Sequence, residues 1–311
     1  MNNVELNIHG LIRITGHLPQ PLLTPLLERF GRFKGSGSAP CHIELGVLDG
    51  PTYRPHLYPR WQFDELGAHW LGRSQKRLLI QPTDLGFRIL VRPPHYGRLH
   101  LGLLWAFRVL MARQGGALMH GAVLGDGTHT LMLLGQKKVG KTQLVLGLME
   151  QNWRLLAEDK FLFWQGRAYC LQDHFYLRAH HLNSHPWLYS MVGPSERPGK
   201  RRGEAQWRVG VETLYPGQFC DVMVPTHLAW LTPGPQWQAD AISEADLRQD
   251  LTAQQSLAFK EFEPLDNWLG CRFPLPDALP LSGARHLTVP APIDVAKGCQ
   301  ELRAYLQAPR P

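Results

Sequence analysis

The stretch "LLGQKKVGKTQLVLG", residues Leu133 to Gly147, decides how this chain is read. It contains G-x-x-x-x-G-K-T, a loop type that wraps backbone N–H groups around phosphates. The apolar run "TLMLL" (Thr130 to Leu134) leads into it as a strand, and "QLVLGLMEQ" leads out as a helix. That strand–loop–helix context is what the motif requires. The candidate phosphate-binding residues are therefore Gly135, Gln136, Lys137, Lys138, Val139, Gly140, Lys141 and Thr142. In such a loop the lysine reaches the β- and γ-phosphates, the hydroxyl of Thr142 holds Mg²⁺, and the helix N-terminus adds partial positive charge. Gly135 and Gly140 permit the tight turns. The unusual part is the middle, where Lys137 and Lys138 stand in place of small residues.

Working outward, the next strand is "WRLLA" (Trp153 to Ala157), followed by "EDK". Glu158 and Asp159 thus emerge at a strand's carboxyl end beside the loop, where α/β proteins bind ligands. One acid there can orient Mg²⁺, and the other can take a proton from an attacking hydroxyl. Before the loop, "LMHGAVLGDGTHTLMLLG" carries two apolar runs around Asp126-Gly127, a hairpin signal. A two-residue turn there makes paired positions sum to 253, sets His120 opposite Leu133 and brings His120 towards the phosphates.

These residues carry a resemblance. "HGAVLGDGTHTLMLLGQKKVGKTQLVLGLMEQNWRLLAEDKFLF" resembles the catalytic core of the HPr kinase/phosphorylase family and its looser relatives. That family has a His-Gly strand, a hairpin, a G-x-S-G-x-G-K-[ST] loop, a helix and then an acid pair. Here His120 stands twenty-one residues before Lys141, and Asp159 eighteen after it, as in the family pattern. The resemblance covers about residues 117 to 163, with a fainter match at "WRVGVETLYP" and "VPTHLAWL".

It implies an α/β fold like phosphoenolpyruvate carboxykinase, with a P-loop on a mixed, largely antiparallel sheet. It also implies ATP and Mg²⁺ as cofactors, Lys141 on phosphate, and Thr142 with Glu158 at the metal. Asp159 becomes the proton acceptor and His120 a supporting catalytic residue. Two departures matter: Lys137-Lys138 replaces the family's Ser-Gly, and Glu158 replaces an Asp. The glycine-rich signature of the bifunctional family after the acid pair is missing as well. A diverged kinase acting on an acceptor other than HPr is therefore expected.

Composition sets the outer bounds. At 311 residues, 44% hydrophobic and 19% charged, the chain is globular and long enough for about two domains. No apolar run is long enough to span a membrane, and the N-terminus lacks a signal-peptide pattern. Five scattered cysteines without C-x-x-C spacing point to free thiols and a cytoplasmic setting. A net charge of +7 favours acidic partners such as nucleotides. No basic helix or zinc finger is visible, so nucleic acid is not an expected partner.

The remaining chain divides into residues 1–95, a smaller α+β domain read as docking or substrate-selecting, and residues 96–311, the P-loop catalytic domain. In the first, "VELNIHGLIRITG" reads as one half-buried strand, "PLLTPLLERFGRF" as a short helix, and "KRLLIQPTDLGFRILVRPP" as two strands about Thr83-Asp84-Leu85-Gly86. In the second, "LHLGLLWAFRVLMARQGG" is an apolar helix ending at glycines, and "ISEADLRQDL" starts near a capping box. His181 and His185 have i, i+4 spacing that suits a metal only if helical, and no H-E-x-x-H acid accompanies them. Lys200, Arg201, Arg202 and Arg208 are candidate transition-state cations, with a solvated loop as the plainer reading.

The expectation is an ATP-dependent kinase that phosphorylates a hydroxyl on a small molecule, peptide or protein. Two other readings use the same residues: a nucleotide- or phosphate-binding sensor with a degenerate loop, and a P-loop NTPase that drives a partner. The resembled family is often oligomeric, which leaves a homo-oligomer open.

Overall fold

The computed structural model describes residues 1–49, 60–71, 76–136, 138–192, 199–201, 204–281 and 283–307. The chain forms two compact units, Met1–Ala117 with Phe259–Pro274, and Leu118–Ala258 with Leu275–Pro311. The expected boundary at 95/96 falls inside the first unit.

The first unit is built on a seven-stranded mixed sheet. Its strands are β1 (Asn2–Ile8), β2 (Ile12–Leu18), β3 (Cys41–Val47), β4 (Arg60–Asp64), β5 (Gly67–Leu71), β6 (Lys76–Thr83) and β7 (Gly86–Val91), in the order β1-β2-β3-β7-β6-β5-β4. "VELNIHGLIRITG" is not one strand but the β1–β2 hairpin. His9 and Gly10 turn the chain with φ of 53° and 71°, and Asn7 Oδ1 accepts from Gly10 N at 2.7 Å. Val4, Leu6, Ile8, Ile12 and Ile14 keep the same alternating phase on both sides of the turn, so periodicity alone could not place it.

Helix α1 (Gln20–Phe30) starts with proline in its first turn and buries Leu22, Leu23, Leu26 and Phe30, the i, i+3, i+4 stripe of one face. Helix α2 (Tyr96–Arg113) packs on β6 and β7 and is buried from Gly102 to Met111. That packing is why it belongs to the sheet before it rather than to the strands after it.

The second unit opens with β8 (Ala117–His120), β9 (Ala122–Gly125) and β10 (Thr130–Gly135), then α3 (Lys141–Met149) and β11 (Arg154–Ala157). There follow β12 (Lys160–Trp164), β13 (Arg167–Cys170), β14 (His174–Arg178), α4 (Ala179–Ser184), α5 (Leu188–Val192), β15 (Gly199–Arg201), β16 (Glu204–Gly210) and α6 (Val211–Leu214). Next come β17 (Val222–Met223), β18 (His227–Gly234), β19 (Gln238–Ala241) and α7 (Glu244–Ala258). The chain then returns to the first unit for α8 (Glu263–Leu269) and finishes in the second with β20 (Arg285–Pro290) and α9 (Val295–Gln307).

Three sheets result, in the orders β11-β9-β10-β18-β20-β19, β17-β13-β12-β8 and β14-β16-β15. The first is mixed: β10, β18 and β20 run parallel, and the pairs on either side are antiparallel. The fold is thus mixed α/β with several sheets. α3 packs against α9, and Leu144, Leu146 and Leu148 join Cys299, Leu302 and Leu306 in one buried cluster. Apolar burial of this kind contributes about 25 cal/mol per Å² and is the main force holding the loop's helix in place.

The β9–β10 hairpin corrects the expected register. Asp126 N donates to His129 O, and Asp126 Oδ1 accepts from Thr128 N and His129 N at 2.8 and 2.7 Å. The turn is four residues long, so paired positions sum to 255 and Leu133 faces Ala122 rather than His120. A slip of two residues keeps every side chain on its face, whereas a slip of one would have reversed them.

Among the described residues no helix is long and apolar enough to cross a membrane. All five cysteines are free.

Candidate functional site

Strand β10 is buried along its length and runs parallel to β18, with Gly135 beside Leu231. Gly135 has φ 146°, and a Cβ there would sit 2.3 Å from Leu231 O, so glycine is required by contact as well as by conformation. Val139 is buried with Leu144 and Val145 in the core cluster and anchors the far side of the loop. Gly140 caps α3 in the left-handed conformation with φ 92°.

Between them Lys138 also takes a left-handed conformation, at φ 69°. It occupies the position where the resembled family has glycine. The loop therefore keeps a glycine-like turn with a lysine in it, at a conformational cost of about 1–2 kcal/mol. The other departure, Lys137, lies outside the described residues.

Lys141 is buried, and its Nζ donates to Gly135 O at 2.9 Å and Gln136 O at 2.8 Å. Thr142 Oγ1 makes a short hydrogen bond to Glu158 Oε1. Strand β11 ends at Ala157, and the two acids follow at the turn into β12. Asp159 Oδ2 accepts from Lys160 Nζ at 2.5 Å, and Asp159 Oδ1 faces His120 Nε2 at 3.4 Å. Gly121 N donates to Asp159 O at 3.0 Å, which ties the end of β8 to the acid turn.

His120, Lys141, Thr142, Glu158 and Asp159 are thus linked around one loop. His120 reaches this place from β8, in a different sheet from β10. Burial first, and then the neighbouring charge of Asp159, push the Glu158 carboxyl up to about 8 against the opposing pull of Thr142, Lys141 and Lys160. Two adjacent acids with conflicting charge, beside a lysine-lined loop, are the electrostatic mark of a site.

The oxygen donors Thr142 and Glu158 suit a hard divalent cation such as Mg²⁺, which binds through few protein ligands plus phosphate and water. The buried ammonium of Lys141 at the start of α3 suits a phosphate. The donor set therefore fits a nucleotide–Mg²⁺ pair.

Other candidates are placed elsewhere. Arg208, on β16, approaches His174 Nδ1 at 3.4 Å. Trp207 packs against the core cluster. Arg202 and the side chains of Lys200 and Arg201 lie outside the described residues, as does most of the polar loop from Met191 to Glu204.

Helix α4 stops at Ser184 and leaves His185 outside it. His185 Nδ1 pairs with Glu150 Oε1 at 2.7 Å, while His181 Nδ1 accepts from Arg178 N at 3.1 Å. The i, i+4 geometry a metal needs does not form, and among the described residues no group of three His, Cys, Asp or Glu side chains is arranged to hold a metal.

Sequence reasoning missed Gln254 and Gln255. Gln254, in α7, is buried; its Nε2 donates to His120 Nδ1 at 3.0 Å and to Gly135 O at 3.1 Å. A signal existed. Leu247, Leu251 and Gln254 share one buried face of α7, so a glutamine stands on an apolar stripe. A buried amide needs partners, and here they belong to the site.

No family model and no curated protein matches the chain. Among solved structures, the HPr(Ser) kinase/phosphatase from Coxiella burnetii aligns over 40% of this chain and 77% of its own, at 12% identity and a TM-score of 0.25. At that level the likeness carries no weight for fold or function, which rest on the residues described above.

Proposed function

We propose that this chain is an ATP-dependent kinase that transfers the γ-phosphoryl group to a hydroxyl of a small molecule, peptide or protein. One observation carries the reading: Thr142 bonds Glu158, His120 lies 3.4 Å from the neighbouring acid Asp159, and Lys141 holds the backbone of the same loop. The resemblance of the same residues to HPr kinase/phosphorylase supports it independently of the contacts.

ATP with Mg²⁺ would supply the phosphoryl group and the counter-charge that lets it move. The chain's own residues do the rest. Lys141 neutralises phosphate charge, and the backbone from Gly135 to Gly140 sets its place. Thr142 and Glu158 would hold the cation. Asp159 takes up the proton of the acceptor hydroxyl as that oxygen attacks, a role worth about 10²–10⁴ in rate. Lys160 keeps Asp159 oriented, and His120 buttresses it from the other side. The 1–95 region is assigned to selecting or docking the acceptor.

The lysines at Lys137 and Lys138 favour a second reading, a sensor or scaffold whose altered loop binds nucleotide or phosphate weakly and without turnover.

The test is transfer of labelled γ-phosphate into a lysate and metabolite pool, with mass spectrometry of the product. Saturable ATP–Mg²⁺ binding that Lys141→Ala abolishes is expected, together with binding but no transfer in Asp159→Asn. Absence of saturable binding overturns the proposal. Binding without transfer supports the sensor, and slow hydrolysis without a labelled acceptor supports an NTPase.

A further inference from the structure

Four hydrogen bonds run from α7 into the site and close on themselves. His120 N donates to Gln255 Oε1 at 3.2 Å. Gln255 Nε2 donates to Gln254 Oε1 at 2.7 Å. Gln254 Nε2 then meets His120 Nδ1 at 3.0 Å and Gly135 O at 3.1 Å.

The two ends of this chain are backbone groups whose roles cannot change. The His120 N–H only donates, which requires an oxygen of Gln255 beside it. The NH₂ of Gln255 must then face Gln254, which requires the oxygen of Gln254 there. The NH₂ of Gln254 is left for Gly135 O, which only accepts. Both amide orientations are therefore set by the network itself. Its last member, His120 Nδ1, faces a donor and must accept. The ring is then neutral, with its proton on Nε2, the nitrogen that faces Asp159 Oδ1 at 3.4 Å.

We infer that Gln254, oriented by Gln255, is a positioning residue that locks His120 as the Nε2–H tautomer aimed at Asp159 and ties that ring to the phosphate loop through the Gly135 carbonyl. The same carbonyl also accepts from Lys141 Nζ at 2.9 Å, so the two lone pairs of one oxygen serve the loop lysine and the histidine's support. A metal-ligating or catalytic histidine is commonly oriented by a carboxylate or a backbone carbonyl accepting from Nδ1–H. A donor at Nδ1 does the opposite and makes the Nε2 proton obligatory. His120 then turns an N–H rather than a lone pair towards Asp159, 3.4 Å away, and does not compete with it for the acceptor's proton. This assignment of catalytic consequence rests on the kinase reading; the tautomer lock does not.

The experiment is long-range ¹H–¹⁵N correlation of histidine side chains in the full-length ¹⁵N-labelled protein at neutral pH, with His120 assigned from the loss of its signals in His120→Gln. The wild type is expected to show His120 as the Nε2–H tautomer alone. In Gln254→Met, which keeps the volume and removes the donor, that pattern is expected to give way to a tautomer mixture. Gln255→Met, which frees the Gln254 amide to turn over, is expected to do so partially.

A wild-type His120 protonated at Nδ1 overturns the inference without any variant, so a misfolded variant cannot shield it. An unchanged tautomer in a folded Gln254→Met overturns it as well. In the transfer assay, Gln254→Met is expected to lower kcat on the order of tenfold with the nucleotide KM unchanged. A shifted tautomer with unchanged kcat overturns the positioning role. If the wild type transfers no phosphate while the tautomers behave as stated, the kinase reading has failed and the lock stands.

Discussion

Two polar clusters, one in each unit of this molecule, are built oppositely. In the first unit Arg108 pairs with Asp266, whose carboxylate also accepts from Trp105 Nε1 at 2.9 Å. The Arg108 guanidinium lies over the rings of Phe273 and Phe259, at 3.7 and 5.1 Å from their centroids. Burial is the largest influence on both partners. It pushes Asp266 up and Arg108 down, each against the pull of the other. The pair ties α8 to α2 in one arrangement.

In the second unit His120 and Asp159 are more open, with side chains 15% and 28% exposed, and two acids sit side by side, burial and the charge of Asp159 pushing the Glu158 carboxyl up. A cluster closed by aromatic rings with matched charges is scaffold. A more open cluster with conflicting charges, set at strand ends beside a loop, is a candidate site.

The sharpest way to break this comparison is to neutralise one acid in each cluster. Asp159→Asn is expected to lower phosphotransfer by about 10²–10⁴ while shifting unfolding free energy by under about 1 kcal/mol. Asp266→Ala leaves a buried guanidinium unpaired and is expected to destabilise by about 3–5 kcal/mol, with turnover per folded molecule unchanged. Chemical unfolding and labelled transfer on both variants decide it. A large stability loss in Asp159→Asn, or a rate loss in folded Asp266→Ala, would erase the distinction.

The contrast between the two clusters also explains what was legible in the sequence. The loop and both acids could be read because their chemistry is local: a glycine spacing, a strand, a strand end. The hairpin register did not place His120: the β9–β10 ladder ends at Ala122, and His120 comes to Asp159 from β8, in another sheet. The β1–β2 turn was hidden because Ile8 and Ile12 keep the same alternating phase across it. Gln254 was hidden because its partners lie 134 and 119 residues away in sequence, and a lone helical glutamine usually means solvent. The Arg108–Asp266 pair was out of reach for the same reason, being 158 residues apart. Local chemistry is written locally, and the groups that support it come from wherever the fold returns.

The contrast has a pH form as well. His181 is closed in, and burial first, then His180, Arg178 and His185, lower its pKa to about 3. Its contribution to stability is fully present above the unfolded value near 6.5 and is lost as pH falls through the window down to about 3. That loss is on the order of a few kcal/mol, and His181→Gln is expected to flatten the acid limb. Glu158 has the opposite sign. With its pKa raised to about 8, its contribution is fully present below the unfolded value near 4.5 and is lost as pH rises through about 8. Its partial exposure trims this to about 1–2 kcal/mol. Urea unfolding from pH 4 to 9 in chelator should show both slopes, with Glu158→Gln flattening only the alkaline one. A Glu158→Gln variant that leaves the alkaline limb unchanged would remove the charge conflict on which the comparison depends.

The smallest effect is the most specific to this chain. Lys138 and Gly140 both hold positive φ in one loop, yet only one is a glycine. A lysine there costs about 1–2 kcal/mol relative to an unstrained position, while a glycine adds about 0.5–1 kcal/mol of unfolded-state entropy to be lost on folding. Lys138→Gly should therefore stabilise by no more than about 1 kcal/mol. Lys138→Asn tolerates the same φ without the charge and separates the two contributions. If the lysine is kept for its charge, both variants should weaken ATP–Mg²⁺ binding alike, more at low salt than at high, whatever they do to stability. If binding is unchanged in both, the strain serves no phosphate, and the loop's departure from its relatives is conformational only. In that case the half-open cluster owes its selectivity to Glu158, Asp159 and His120, and the place to look for the acceptor moves from the loop to the strand ends.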